Sequence, residues 1–183
     1  MGPVIHDAVT LRHFAAVERT DILQACHGHR PEPRWTEAIR AEIESAAQEG
    51  ELHCSDILGE AWLGPPAEPA AGELAVVYRL QVGLNNGREP PKGDRGEAEG
   101  IYFAEKHTGQ FATDDNGAYE FARRRPLLGV GRVIDSIHIL RTAVADGYLT
   151  TAEARRIADA IEDSGRSFRP THRRARDPDY FNH

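Results

Sequence analysis

Apolar positions along this chain alternate between two spacings. Short apolar runs at Pro3-Val4-Ile5-His6, at Gln110 to Thr113 and at Leu127 to Ile134 read as strands; between them, apolar residues recur three and four apart, the mark of amphipathic helices. Ala8 to Cys26 reads as helix, broken near Arg19-Thr20-Asp21, and Thr36 caps a helix over 37–48 that Gly50 ends. Residues 73–84 carry Leu74, Val77, Leu80 and Leu84 on one face. Asp94 launches the next helix, another spans about 117–124 before Pro126, and Asp135 or Ser136 caps one carrying Ile137, Leu140 and Val144 that Gly147 closes. Thr150-Thr151-Ala152-Glu153 is a capping box for a last helix to about Asp163. Leu52 to Gly64 suits a short strand and a turn of helix, while the Pro- and Gly-rich stretches 27–34, 65–69 and 85–93 read as loops. This alternation predicts an α/β fold: a three-layer α/β/α sandwich on a parallel sheet of four to five strands, over residues 1–165, with a basic, weakly ordered tail over 166–183.

Charge sharpens that division. The 183 residues carry a formal net charge of -7. From Ser164 to His183 the five arginines 166, 169, 173, 174 and 176 stand against Asp177 and Asp179, so the tail is +3 and the remainder -10. Such an asymmetry invites a partner for each sign, and Arg166, Arg169, Arg173 and Arg174 are the candidate contacts to nucleic-acid phosphates. An acidic total suits no protein whose main task is coating nucleic acid, but is compatible with an enzyme whose carboxylates hold metal. The absence of an apolar leader or a bilayer-length apolar run gives the expectation of a cytoplasmic protein. Cys26 and Cys54 make no disulfide framework. Their neighbours His27, His29 and His53 offer zinc-type ligands, but His53 and Cys54 are adjacent, a poor spacing for such a site.

The acidic residues follow a pattern of their own. Asp7 ends the first apolar run, Glu42 lies between Ile39 and Ile43, Glu97 sits near the start of the helix opened by Asp94, and Asp114-Asp115 follows the run ending at Thr113. Each position has a local structural alternative. Asp114 or Asp115 suits a helix N-cap, and Asp94 with Glu97 suits a capping box.

Read in order, Asp7-Ala8-Val9-Thr10-Leu11, Ile39-Arg40-Ala41-Glu42-Ile43, Asp94-Arg95-Gly96-Glu97-Ala98-Glu99-Gly100-Ile101 and Thr113-Asp114-Asp115 resemble the PIN domain family of metal-dependent nucleases, which includes VapC-type toxins of bacterial toxin-antitoxin pairs. The resemblance covers about residues 3 to 148. It implies that Asp7, Glu42, Glu97 and Asp115 are catalytic and that Asp7, Glu97, Asp115 and Asp114 bind Mg2+ or Mn2+, the T-x-D pattern selecting Asp115 as the direct ligand. Thr10, Thr113 and Asp94 would support them, and Glu99 would be a solvated or supporting acid. All-oxygen ligands suit these hard cations. The implied reaction is hydrolysis of RNA phosphodiester bonds without a covalent enzyme intermediate; the implied partners are the RNA, an antitoxin protein and a second copy in a homodimer. One departure stands out: where the family commonly has Ser or Thr two residues after the first Asp, this chain has Val9, with the hydroxyl one later at Thr10. Two other classes compete, a PIN-like binding subunit without efficient catalysis and a phosphoacceptor receiver. The receiver would need a lysine near the last strand, and no lysine follows Lys106.

Overall fold

The structure is a computed structural model that describes residues 1–88, 94–129, 131–172 and 180–181. Three parallel strands form its centre in the order β1 (Val4–His6), β2 (Gln110–Ala112) and β3 (Val133–Ile134). Val4 pairs with Gln110 and Phe111 with Val133, so the three carboxyl ends share one edge. The helices are α1 (Ala8–Ala15), α2 (Thr20–His27), α3 (Glu37–Gln48), α4 (Leu52–Leu58), α5 (Leu74–Leu84), α6 (Arg95–Lys106), α7 (Asn116–Ala122), α8 (Ser136–Ala145) and α9 (Thr151–Asp163), with short 3-10 turns at Ala61–Leu63 and Pro170–His172. None is long and apolar enough to cross a membrane.

The parallel α/β arrangement agrees with the sequence, but the described sheet has three strands rather than four or five. Beyond β1 the backbone pairing continues as single contacts. His6 N donates to Arg34 O, Ala67 N to Trp35 O and Glu37 N to Ala67 O. Pro31, Pro33, Pro65, Pro66 and Pro69 flank these contacts. Proline lacks the N–H a ladder needs, so the pairing stops at a bridge. The last strand, expected from Leu127 to Ile134, is only Val133–Ile134, because Gly129 and Gly131 take positive φ of 58° and 93° and bend the chain before it. Leu52 to Gly64 holds α4 and a 3-10 turn instead of a strand.

The sheet is buried among the helices. Val4, Ile5, Phe111 and Ala112 are fully enclosed, with Leu11, Phe14, Ile39, Ile43, Ile101 and Ile137 around them. Helices α3 and α6 pack where Glu99, fully buried rather than solvated, accepts from Arg95 Nε at 2.8 Å and from Ala38 N at 3.3 Å. The described part of the C-terminal segment is not a loose tail: Phe168, Arg169, His172 and Phe181 are all buried.

Candidate functional site

The C-terminal edge of the sheet gathers the acids. Asp7 leaves β1 in extended conformation and becomes the residue before α1; its N–H donates to Ala112 O at 2.9 Å, tying it to the end of β2. The next residue of that strand path, Thr113, donates its hydroxyl to Asp7 Oδ2 at 2.9 Å and accepts from Asp115 N at 3.1 Å. One threonine therefore fixes the first acid and the last. Asp115 caps α7 through Oδ1, which accepts from Ala118 N at 2.7 Å, and it remains exposed.

Asp114 points the other way. It is buried, and its Oδ2 accepts from Ser136 Oγ at 2.6 Å and Thr10 Oγ1 at 2.9 Å, with Ser136 N at 3.2 Å and His13 Nδ1 at 3.5 Å. This is a correction for Asp114 as a metal ligand: its lone pairs are committed to the interior, where it joins β2 to the starts of α1 and α8. The Thr10 hydroxyl serves this bracket, while Asp7 takes its hydroxyl from Thr113.

Glu42 and Glu97 complete the set from α3 and α6. Glu42 accepts from the backbone N–H of Gly96, and a Cβ at Gly96 would stand 2.5 Å from Glu42 Oε1, so any larger residue there would displace the Glu42 carboxyl. Asp94 precedes α6 but makes no side-chain cap bond, so the Asp94–Glu97 capping box is not formed. Asp94, Glu97 and Asp115 instead line a cleft of about 110 Å³.

The electrostatics follow from this crowding. Burial, and next the negative charge of Asp7, hold Glu97 far above the usual carboxylate range. Asp7 is raised by its own burial against the opposing bond from Thr113, and further by Asp115 and Asp114. Burial and then Asp7 push Glu42 up to about 7. The charges of Asp7, Glu42, Glu97 and Asp115 thus act on one another. Two of their oxygens, Asp7 Oδ1 and Glu97 Oε2, are buried with no hydrogen-bond partner.

The basic candidates lie differently. Arg169 is 4% exposed and donates from Nε and Nη2 to Asp135 Oδ2 at 2.8 and 2.7 Å, with its guanidinium 3.3 Å over the Tyr119 ring. It is an internal ion pair, not a nucleic-acid contact. Arg166 donates to Glu51 at 2.8 Å. Arg173 and Arg174 lie outside the described residues.

Two further clusters carry ligand atoms within 4.8 Å of one another, Asp135-His138-His172 and Glu51-His53-Cys54, both tighter than the acid constellation. Each already holds a cation. Arg169 sits on Asp135 and 3.4 Å from His172 Nε2, while Arg12 and Arg166 both reach Glu51. His138, three residues after the cap Asp135, could have been read from helix spacing; His172 could not, since it is 37 residues away. Cys26, His27 and His29 do not join His53 and Cys54, for His27 turns to His6 at 3.2 Å. No family model, curated protein or solved structure matches the chain.

Proposed function

We propose that the chain is a ribonuclease of PIN type that depends on Mg2+ or Mn2+ and works at the C-terminal edge of the sheet. The observation that carries this reading is the pair of orphaned oxygens, Asp7 Oδ1 and Glu97 Oε2, buried in carboxyls that repel each other. Buried acids in this state either keep protons or gain a cation. The two histidine-containing clusters have arginines in that role; among the described residues no arginine or lysine is ion-paired with Asp7, Glu42, Glu97 or Asp115, although the charge of Arg12 reaches Glu42. The donors of this acid cluster are all oxygen, the chemistry that Mg2+ and Mn2+ prefer. Asp7, Glu97 and Asp115 would hold the ion, Asp115 through the oxygen its helix cap does not use.

When bound, such an ion acidifies water and neutralises charge on the phosphodiester. The chain's own groups do the rest. Thr113 fixes Asp7 through Oδ2, which leaves Oδ1 for binding. Glu42, held near neutrality, is suited to take up or release a proton at working pH. Asp114, braced by Thr10 and Ser136, keeps α1, β2 and α8 in register beneath the acids.

A second reading, a PIN-like binding subunit without efficient turnover, is favoured by one feature: the acid oxygens are set wider than those of the two histidine clusters. Calorimetric titration with Mn2+ and cleavage of a mixed RNA, run on wild type, Asp7→Asn and Glu97→Gln, separate the two. The nuclease requires Mn2+ binding and chelator-sensitive cleavage, both lost in the variants. Binding without cleavage favours the subunit. Cleavage untouched by chelator and by both substitutions overturns the assignment.

A further inference from the structure

At the opposite edge of the sheet, where the strands begin, a cavity of about 470 Å³ opens between Gly2, Arg30, Thr108, Gln110 and Arg132. Among the described residues no acidic side chain lines it. Arg30 reaches in from the end of α2, and its guanidinium makes only long contacts to neutral acceptors, 3.3 Å to Gly2 O and 3.5 Å to Gln110 Oε1; its Nε is buried without a partner. Arg132, entering β3, donates to Leu127 O at 3.3 Å. Neither is ion-paired among the described residues, whereas Arg12, Arg19, Arg125, Arg166 and Arg169 each meet a carboxylate. Gln110 spans the gap, receiving Arg30 on Oε1 and donating from Nε2 to Gly131 O at 3.2 Å.

The floor beneath these side chains is rigid backbone. A Cβ on Gly109 would come 2.4 Å from Pro3 O, and one on Gly2 would come 2.6 Å from His107 O, so two chain segments cross in contact there. Thr108, with φ of 53°, turns its segment into the crossing. In a chain of net charge -7, two guanidiniums around one cavity that no carboxylate of the described residues lines are an unmatched positive site. Planar guanidinium forks recognise phosphoryl oxygens in pairs. The volume falls within the range of small-molecule sites, about 300 to 1,000 Å³, and exceeds what a bare anion needs.

We propose that this cavity is a binding site for a small phosphomonoester of nucleotide size, with Arg30 and Arg132 gripping the phosphate and Gln110 positioning Arg30. The site lies at the far edge from the acid cleft and does not rest on the ribonuclease reading.

The test is calorimetric titration of the full chain in EDTA, which keeps phosphate away from any cation at the acid cleft. The probes are adenosine 5′-monophosphate, inorganic phosphate and adenosine. Wild type is expected to bind the monophosphate more tightly than phosphate, and adenosine not at all, with affinity falling as salt rises. Binding of phosphate as tightly as the monophosphate would make the site a plain anion site and overturn the nucleotide-size assignment. Arg132→Gln and Arg30→Gln should each weaken the monophosphate at least tenfold, and Asp7→Asn should leave it unchanged. Because Arg30 also holds Gly2, the more peripheral Arg132→Gln variant decides the matter if Arg30→Gln unfolds. No binding by wild type, equal binding of adenosine, or undiminished binding by Arg132→Gln overturns the proposal.

Discussion

Asp114 and Asp115 are neighbours in the chain and opposites in setting. Asp114 is buried and receives Thr10 and Ser136, whereas Asp115 is exposed and receives one backbone N–H. Removing a buried hydrogen-bonded carboxylate strands its donors, and losing an N-cap frees only a helix end. Asp114→Ala should therefore cost about 3 kcal/mol and Asp115→Ala about 1 kcal/mol in urea unfolding. Equal costs would mean that the two carboxyls do not divide the work in this way. Asp115→Asn refines the comparison, because Asn caps as well as Asp but carries no charge. Its stability should not fall below the wild-type value, because the charge that raises Asp7 and Glu97 is gone; on the proposed nuclease reading Mn2+-dependent cleavage is lost, and retained cleavage would remove Asp115 from the metal set. At Gly96, an added methyl group must push Glu42 away from its backbone partner, so Gly96→Ala should lower cleavage with RNA affinity retained.

Elements were legible in the sequence where their determinants are local. Thr36 caps α3 by accepting from Ile39 N, Asp135 caps α8 through His138 N, and Thr150 with Glu153 forms the full capping box of α9; each rests on residues three apart. The C-terminal segment was not legible, because what orders it is distant in sequence. Asp135 Oδ2 receives Arg169 and His172, and His172 is in turn bonded to the Tyr180 hydroxyl. Burial alone would raise the Asp135 carboxyl, but the bonds from His138 and His172 outweigh it and hold it well below the usual range. Phe168 adds a ring edge-on to His13 at 5.6 Å. A run of arginines reads as a solvated face until such partners are known. Arg169→Met should cost about 3 to 5 kcal/mol, the effect of breaking a buried ion pair from one side. Chemical denaturation measures it, and a loss below about 1 kcal/mol would return the segment to a loosely held tail.

At the scale of the whole molecule, the acid order placed four carboxyls at one sheet edge, yet burial decides how each behaves, and burial is set by the full packing. The consequence is a fold squeezed by pH from both sides. Burial, with the charge of the neighbouring acids, raises Asp7, Glu42 and Glu97 in the fold. The stability tied to them is complete below their unfolded pKa values and is lost as pH rises through the folded ones, for Glu42 between 4.5 and about 7. Histidines act in the other direction. Burial lowers His6 well below 6.5 and His27 to about 3, so they are neutral in the fold and protonate on unfolding. Their share is complete above 6.5 and is lost as pH falls toward 3. Melting temperature in EDTA should therefore peak near about pH 5 to 6 and decline on both sides. Asp7→Asn with Glu97→Gln should flatten the alkaline decline and leave the acid one. Saturating Mn2+ should do the same to wild type, since a cation at the acids removes the penalty of ionising them without touching His6 or His27. An alkaline arm that is already flat in EDTA would show that the acids do not repel one another. One that is steep but indifferent to Mn2+ and to both substitutions would place its cause outside the acid cleft.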